Sequence, residues 1–134
     1  MAVLDSMTPR SRNDLRVALI GFGLGGTSFT TQLIAATAGM TLATAVTANA
    51  ERRAQALRDY PGVQVVPDPD TLWKSAADHD LVVISTPNRS HVPLALAALS
   101  AGLAVVIDKP FAPTAAEARQ VIAAARAKRL PLSA

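Results

Sequence analysis

Short apolar runs alternate with longer stretches of helical period along nearly the whole chain. Leu15-Arg16-Val17-Ala18-Leu19-Ile20 is almost wholly apolar and ends on glycine, the pattern of a strand buried on both faces. From about Gly26 to Ala38, Phe29, Leu33, Ile34 and Thr37 recur at helical spacing. Thr41–Val46 reads as a second strand, and a helix from about Ala50 to Asp59 is closed by Tyr60-Pro61-Gly62. Val63–Val66 forms a short third strand. Asp68 then caps a short helix with Pro69 in its first position.

Leu81–Ile84 is the fourth strand, and Ser90 is expected to cap the helix that runs on to Ala101-Gly102, where glycine ends it. Ala104–Ile107 is the fifth strand. Thr114-Ala115-Ala116-Glu117 has the form of a capping box and opens a last helix to about Arg129. Leu130–Leu132 would begin a sixth strand. Residues Met1 to Asp14 show no period and read as a flexible leader, leaving residues 15–134 as one domain.

Strands rich in Val and Ile, each followed by a helix, predict an α/β fold. The expected form is a doubly wound, mostly parallel Rossmann sheet in a single three-layer domain with right-handed crossovers. Composition agrees with that picture. Of 134 residues 50% are hydrophobic and only 17% charged, while aromatics are limited to Trp73, Tyr60, Phe22, Phe29 and Phe111. The core must therefore be aliphatic.

The absence of cysteine excludes disulfides, thiolate nucleophiles and cysteine-ligated zinc, and no metal site is expected. No apolar run approaches the roughly 18 residues that cross a bilayer, and no signal peptide precedes the first strand, so a cytoplasmic protein without a membrane partner is expected. The net charge is +3, with Arg10, Arg12 and Arg16 near the N-terminus. The other basic residues are scattered without interleaved aromatics, so no nucleic-acid partner is expected.

The chemistry begins at Gly21-Phe22-Gly23-Leu24-Gly25-Gly26, a G-x-G-x-x-G loop between a strand and a helix. Gly21 permits the tight turn, Gly23 lets backbone approach a pyrophosphate, and Gly26 lets the helix pack close to the strand. Free N–H groups at the helix start then face the diphosphate. The expected partner is a nicotinamide dinucleotide. An acidic residue commonly ends the second strand of NAD-specific domains and binds the ribose 2′-OH. Here that strand runs out through Val46-Thr47-Ala48-Asn49, and the nearest carboxylate, Glu51, is already in the helix. Thr47 and Asn49 can donate hydrogen bonds, and Arg52 or Arg53 can offer charge and a bidentate fork to a 2′-phosphate. NADP is the favoured cofactor and NAD the alternative, in which both arginines are ordinary exposed helix residues.

Two more segments lie at strand ends, where ligands bind in open α/β sheets: Ser85-Thr86-Pro87-Asn88-Arg89-Ser90-His91 and Asp108-Lys109-Pro110-Phe111. With the glycine loop they resemble the N-terminal domain of the glucose–fructose oxidoreductase, inositol dehydrogenase and MocA (Gfo/Idh/MocA) family. The likeness covers roughly Leu15 to Ser133 and rests on Thr86-Pro87-Asn88 with His91, the Ala101-Gly102 turn and Asp108-Lys109-Pro110. Asp108 stands where the family usually has Glu.

The resemblance implies hydride transfer between a nicotinamide and a hydroxyl-bearing carbon of a sugar, polyol or related compound. It makes Lys109 the catalytic residue, polarising the substrate oxygen and joining a proton relay. It sets Ser85, Thr86, Pro87, Asn88, Asp108 and Pro110 around the ribose and nicotinamide. His91 reads as a neutral hydrogen-bonding residue at the pocket rim, and His79, in Asp78-His79-Asp80, as solvated loop.

The family's second, substrate-binding domain lies outside this sequence, so cofactor binding without turnover is expected, as is an exposed, partly apolar face that favours homo-oligomers. A non-catalytic regulatory or redox-sensing nucleotide module is the alternative, though it gives Lys109 no role. A self-contained short-chain dehydrogenase would need Tyr-x-x-x-Lys. Gln64 stands four residues after Tyr60, the only tyrosine, so that class is excluded.

Overall fold

In the computed structural model of the chain, residues 14–21, 34, 36–108 and 111–133 are described. Six strands form one sheet: β1 Leu15–Ile20, β2 Met40–Val46, β3 Gln64–Val66, β4 Leu81–Ile84, β5 Ala104–Ile107 and β6 Leu132–Ser133. Their order is β3-β2-β1-β4-β5-β6, and every pairing is parallel. The described helices are α1 Ala50–Asp59, α2 Pro69–Lys74, α3 His91–Ser100 and α4 Ala115–Lys128. The order reverses between β1 and β4, the place where doubly wound sheets open a crevice at their carboxyl ends.

Both faces of the central strands are buried, as their continuous apolar runs require. Val17 and Leu19 of β1 enter one cluster with Ile34, Leu42, Ala45, Ala56 and Val63. Ala18 and Ile20 enter the other, larger cluster, where Val82, Ile84, Val105 and Ile107 meet residues of α2, α3 and α4. Small alanines at 95, 98 and 125 in that cluster let the helices lie close on the sheet.

Local signals act as their chemistry demands. Asp68 accepts from the Thr71 backbone N–H at 2.7 Å with Pro69 in the first turn of α2. Thr114 accepts from the Glu117 N–H at 3.1 Å at the start of α4. Helix α3 ends in a Schellman arrangement, with Gly102 at φ +88° and the Leu103 N–H bonded to the Ala98 carbonyl. Helix α4 ends with the same backbone pairing, Leu130 N–H to Ala125 carbonyl, but places Arg129 at φ +56°.

Three expectations need correction. His79 is not solvated loop: it is 6% exposed, its Nε2 lies 2.7 Å from the Thr44 hydroxyl and its Nδ1 3.0 Å from the Ser75 carbonyl. A carbonyl only accepts, so Nδ1 carries the hydrogen. Thr44, 1% exposed inside β2, thereby finds the partner that a buried hydroxyl requires. Ser90 precedes α3 but makes no side-chain cap bond, because its hydroxyl turns back to Thr86 and Pro87. The sixth strand is Leu132–Ser133, pairing with Val105 and Val106, rather than beginning at Leu130.

Arg16 lies in β1 and is held by Asp80. Its backbone N–H donates to Oδ2 at 2.8 Å, its Nε to Oδ2 at 3.1 Å and its Nη2 to Oδ1 at 3.1 Å. The side-chain bonds to the Asp80 carboxylate hold the guanidinium above its ordinary pKa. The start of β1 is thus tied to the turn before β4, at the sheet end away from the crevice. Arg10, Arg12 and the other leader residues before Asp14 lie outside the described residues.

Candidate cofactor site

The carboxyl edge of the sheet is continued by one more backbone bond at three strand exits. Thr47 N–H donates to Val66, Ser85 N–H to Ile20 and Asp108 N–H to Ile84, at 2.9, 2.8 and 2.8 Å. The residues leaving β2, β4 and β5 therefore stand in a fixed row along one rim. All three belong to the site expected from the sequence.

Gly21 leaves β1 at the reversal point with φ +99°. A Cβ placed there would stand 2.5 Å from the Ser85 carbonyl oxygen, 2.6 Å from its carbon and 2.9 Å from the Thr86 nitrogen. These are backbone atoms that cannot swing aside. Glycine is needed here both for its conformation and for the approach of the β4 exit. Gly23, Leu24, Gly25 and Gly26, the remainder of the expected phosphate loop, lie outside the described residues.

On the β2 side, Thr47 Oγ1 accepts from the Asn49 N–H at 3.1 Å, and Asn49 Oδ1 accepts from the Arg52 N–H at 2.9 Å. Asn49 is thus the N-cap of α1, and its oxygen is committed to the helix. The Thr47 hydroxyl keeps its own hydrogen to donate. Arg52 and Arg53 are exposed in the first turn of α1. The sole acid in that turn is Glu51. Thr47, Asn49, Arg52 and Arg53 are therefore brought to one place at the end of β2.

Beyond β4, the Ser85 hydroxyl donates to Asp108 Oδ2 at 3.2 Å, joining the two segments that carry the rest of the expected site. Thr86 and Pro87 follow, tied down by Ser90 and His91. His91 is 1% exposed and its Nε2 lies 2.7 Å from the Thr86 carbonyl, so it faces back into the turn rather than sitting at a pocket rim. The backbone of Asn88 opens a short 3₁₀ turn to Ser90. Phe111 is partly buried against the larger cluster just past Lys109 and Pro110, both outside the described residues. Among the described residues no three His, Cys, Asp or Glu side chains gather to hold a metal, and no helix is long and apolar enough to cross a membrane.

A glycine turn after β1, facing the β4 exit in a 3-2-1-4-5-6 sheet, is dinucleotide-site architecture. The family model for oxidoreductases with an NAD-binding Rossmann fold, GFO_IDH_MocA, matches residues 15–134. This chain belongs to the Gfo/Idh/MocA family. An uncharacterized oxidoreductase, YdgJ, of Escherichia coli K12 is 44% identical over 114 residues, covering 85% of this chain and 32% of the relative. Inositol 2-dehydrogenase 4 of Saccharopolyspora erythraea is 36% identical, covering 85% of this chain and 33% of the relative. The crystal structure of an oxidoreductase from Klebsiella pneumoniae superposes with a TM-score of 0.82 at 40% identity, covering 90% of this chain and 34% of that one. The chain thus spans about a third of the length of the curated relatives it matches. Its fold and family are those of an NAD(P)-binding domain of oxidoreductases.

Proposed function

We propose that this chain binds NADP, with NAD the weaker ligand, as the cofactor-holding part of an oxidoreductase acting on a sugar, polyol or related alcohol. The observation that carries the reading is Gly21 pressed against Ser85 and Thr86 where the strand order reverses. In such sheets the first β-α-β half takes the adenosine end and the second takes the nicotinamide end. Gly21, Gly23, Leu24, Gly25 and Gly26 then cradle the pyrophosphate with backbone N–H groups. Thr47, Asn49, Arg52 and Arg53 surround the 2′-phosphate, where a carboxylate would repel it.

Ser85, Thr86, Pro87, Asn88, Asp108 and Pro110 line the nicotinamide half. The nicotinamide, when bound, supplies the carbon that accepts or gives hydride. Lys109 holds the substrate oxygen by its ammonium and exchanges a proton with it.

Calorimetric titration with NADPH and NADH tests the reading. NADPH is expected to bind at least about tenfold more tightly, equivalent to about 1.4 kcal/mol, and the double substitution Arg52→Ala/Arg53→Ala should erase the difference. Equal or tighter binding of NADH would refute the choice of NADP. Binding of neither would refute the cofactor site.

A further inference from the structure

The segment between β4 and α3 is fixed from three sides. On one side, Gly21 lies so near that an added Cβ would meet the Ser85 and Thr86 backbone at 2.5–2.9 Å. At its start, Ser85 N–H is bonded to Ile20. From beneath comes His91, with its ring fully buried and Nε2 at 2.7 Å from the Thr86 carbonyl. A carbonyl only accepts, so Nε2 carries a hydrogen.

Ser90 adds a second tether, its Oγ lying 2.7 Å from both Thr86 Oγ1 and the Pro87 carbonyl. Ser90 has one hydroxyl hydrogen for two contacts, and the Pro87 carbonyl cannot donate. Both contacts are satisfied at full strength when Thr86 O–H donates to Ser90 and Ser90 O–H donates to Pro87. Thr86 Oγ1 then presents acceptor lone pairs to a ligand, matching an N–H or O–H donor such as a carboxamide or a ribose hydroxyl.

We infer that His91 is a positioning residue for the nicotinamide half of the cofactor. Acting through the Thr86 carbonyl, it holds the Thr86–Asn88 turn at the height the ligand meets, while Ser90 orients the Thr86 hydroxyl as an acceptor. The inference rests on the cofactor reading above. It differs from a contact role, because a ring 1% exposed reaches the ligand only through the turn. Burial also separates it from a proton-transfer role.

The test compares full NADPH with 2′,5′-ADP, which carries only the adenosine end, on the whole chain. His91→Phe fills similar space without the donor, whereas His91→Gln keeps an amide N–H at the distance of Nε2. His91→Phe should weaken NADPH about tenfold, through loss of the buried bond to the Thr86 carbonyl, and leave 2′,5′-ADP within about twofold. Glutamine should restore most of the NADPH affinity.

Ser90→Ala, at a half-buried position, should produce the same selective loss at about threefold. It also decides the question should His91→Phe not fold. Equal weakening of both ligands would mark His91 as merely structural and overturn the assignment, as would unchanged NADPH binding in both variants. Wild-type chain that binds neither ligand would instead remove the cofactor reading, and this inference with it.

Discussion

Replacing Gly21 with alanine probes two separable effects at the site. The new Cβ meets backbone atoms of Ser85 and Thr86 at 2.5–2.9 Å, and the residue must keep φ at +99°. Backbone strain of this kind costs about 1–3 kcal/mol, and overpacking against a wall that cannot move adds about 1–3 kcal/mol. Gly102 offers an internal control, since it has φ +88° but nothing within 4 Å of an added Cβ. Gly102→Ala should suffer the strain alone. Urea denaturation followed by circular dichroism should therefore show Gly21→Ala to be less stable than Gly102→Ala by about 1–3 kcal/mol. NADPH titration should show lost binding in Gly21→Ala only. Equal stabilities, or Gly21→Ala with wild-type affinity, would refute the argument that β1 and β4 exits are packed on each other to shape the crevice.

Other positions give independent checks. His79→Ala leaves the Thr44 hydroxyl and the Ser75 carbonyl without their partner and opens a cavity, so stability in urea should fall by about 2–4 kcal/mol. Cofactor affinity should stay unchanged, since His79 lies at the opposite end of the sheet from the β4 exit. Arg129→Gly removes a left-handed non-glycine residue at the end of α4 and should raise the denaturation midpoint, by about 1 kcal/mol in stability. Asp68 is held below the usual carboxylate pKa, first by the Thr71 hydroxyl and then by the Thr71 backbone N–H. Its ionised form therefore stabilises the fold above about pH 4, the unfolded value, and that contribution is lost as pH falls through the lower folded value. In thermal scans from pH 5 to pH 2, the advantage of wild type over Asp68→Asn should shrink steadily. A constant or growing gap would contradict the cap.

Much of the fold was legible because it depends on neighbours in sequence. Continuous apolar runs bounded β1, β4 and β5, since a strand covered on both faces has no polar positions to blur it. Asp68 before Pro69, and Thr114 before Glu117, marked helix starts through bonds that span three residues. His79 was misread because its partner, Thr44, lies 35 residues away and its flanking aspartates imitate a solvated turn. A signal existed in β2, where a threonine between buried apolar residues demands a hydrogen-bonding partner. Ser90 departs from expectation for a related reason: a serine before a helix can bond forward to the helix or backward to the preceding turn, and the Pro87 carbonyl is the nearer acceptor. At the site, the need for glycine after Ile20 was legible in the sequence. The juxtaposition of Gly21 with Ser85, and of Ser85 with Asp108, depends on the crossovers that set β4 beside β1 and β5 beside β4.

On the proposed function, a nicotinamide dinucleotide lies over the β1–β4 reversal. Amide chemical-shift mapping of the isotope-labelled chain during an NADPH titration tests it most directly. Saturable shifts are expected at Gly21, Thr47, Ser85, Thr86 and Asp108, with little change at His79, Asp80 or Gly102 near the far end of the sheet. Shifts centred on that far end, or none at saturating cofactor, would contradict it.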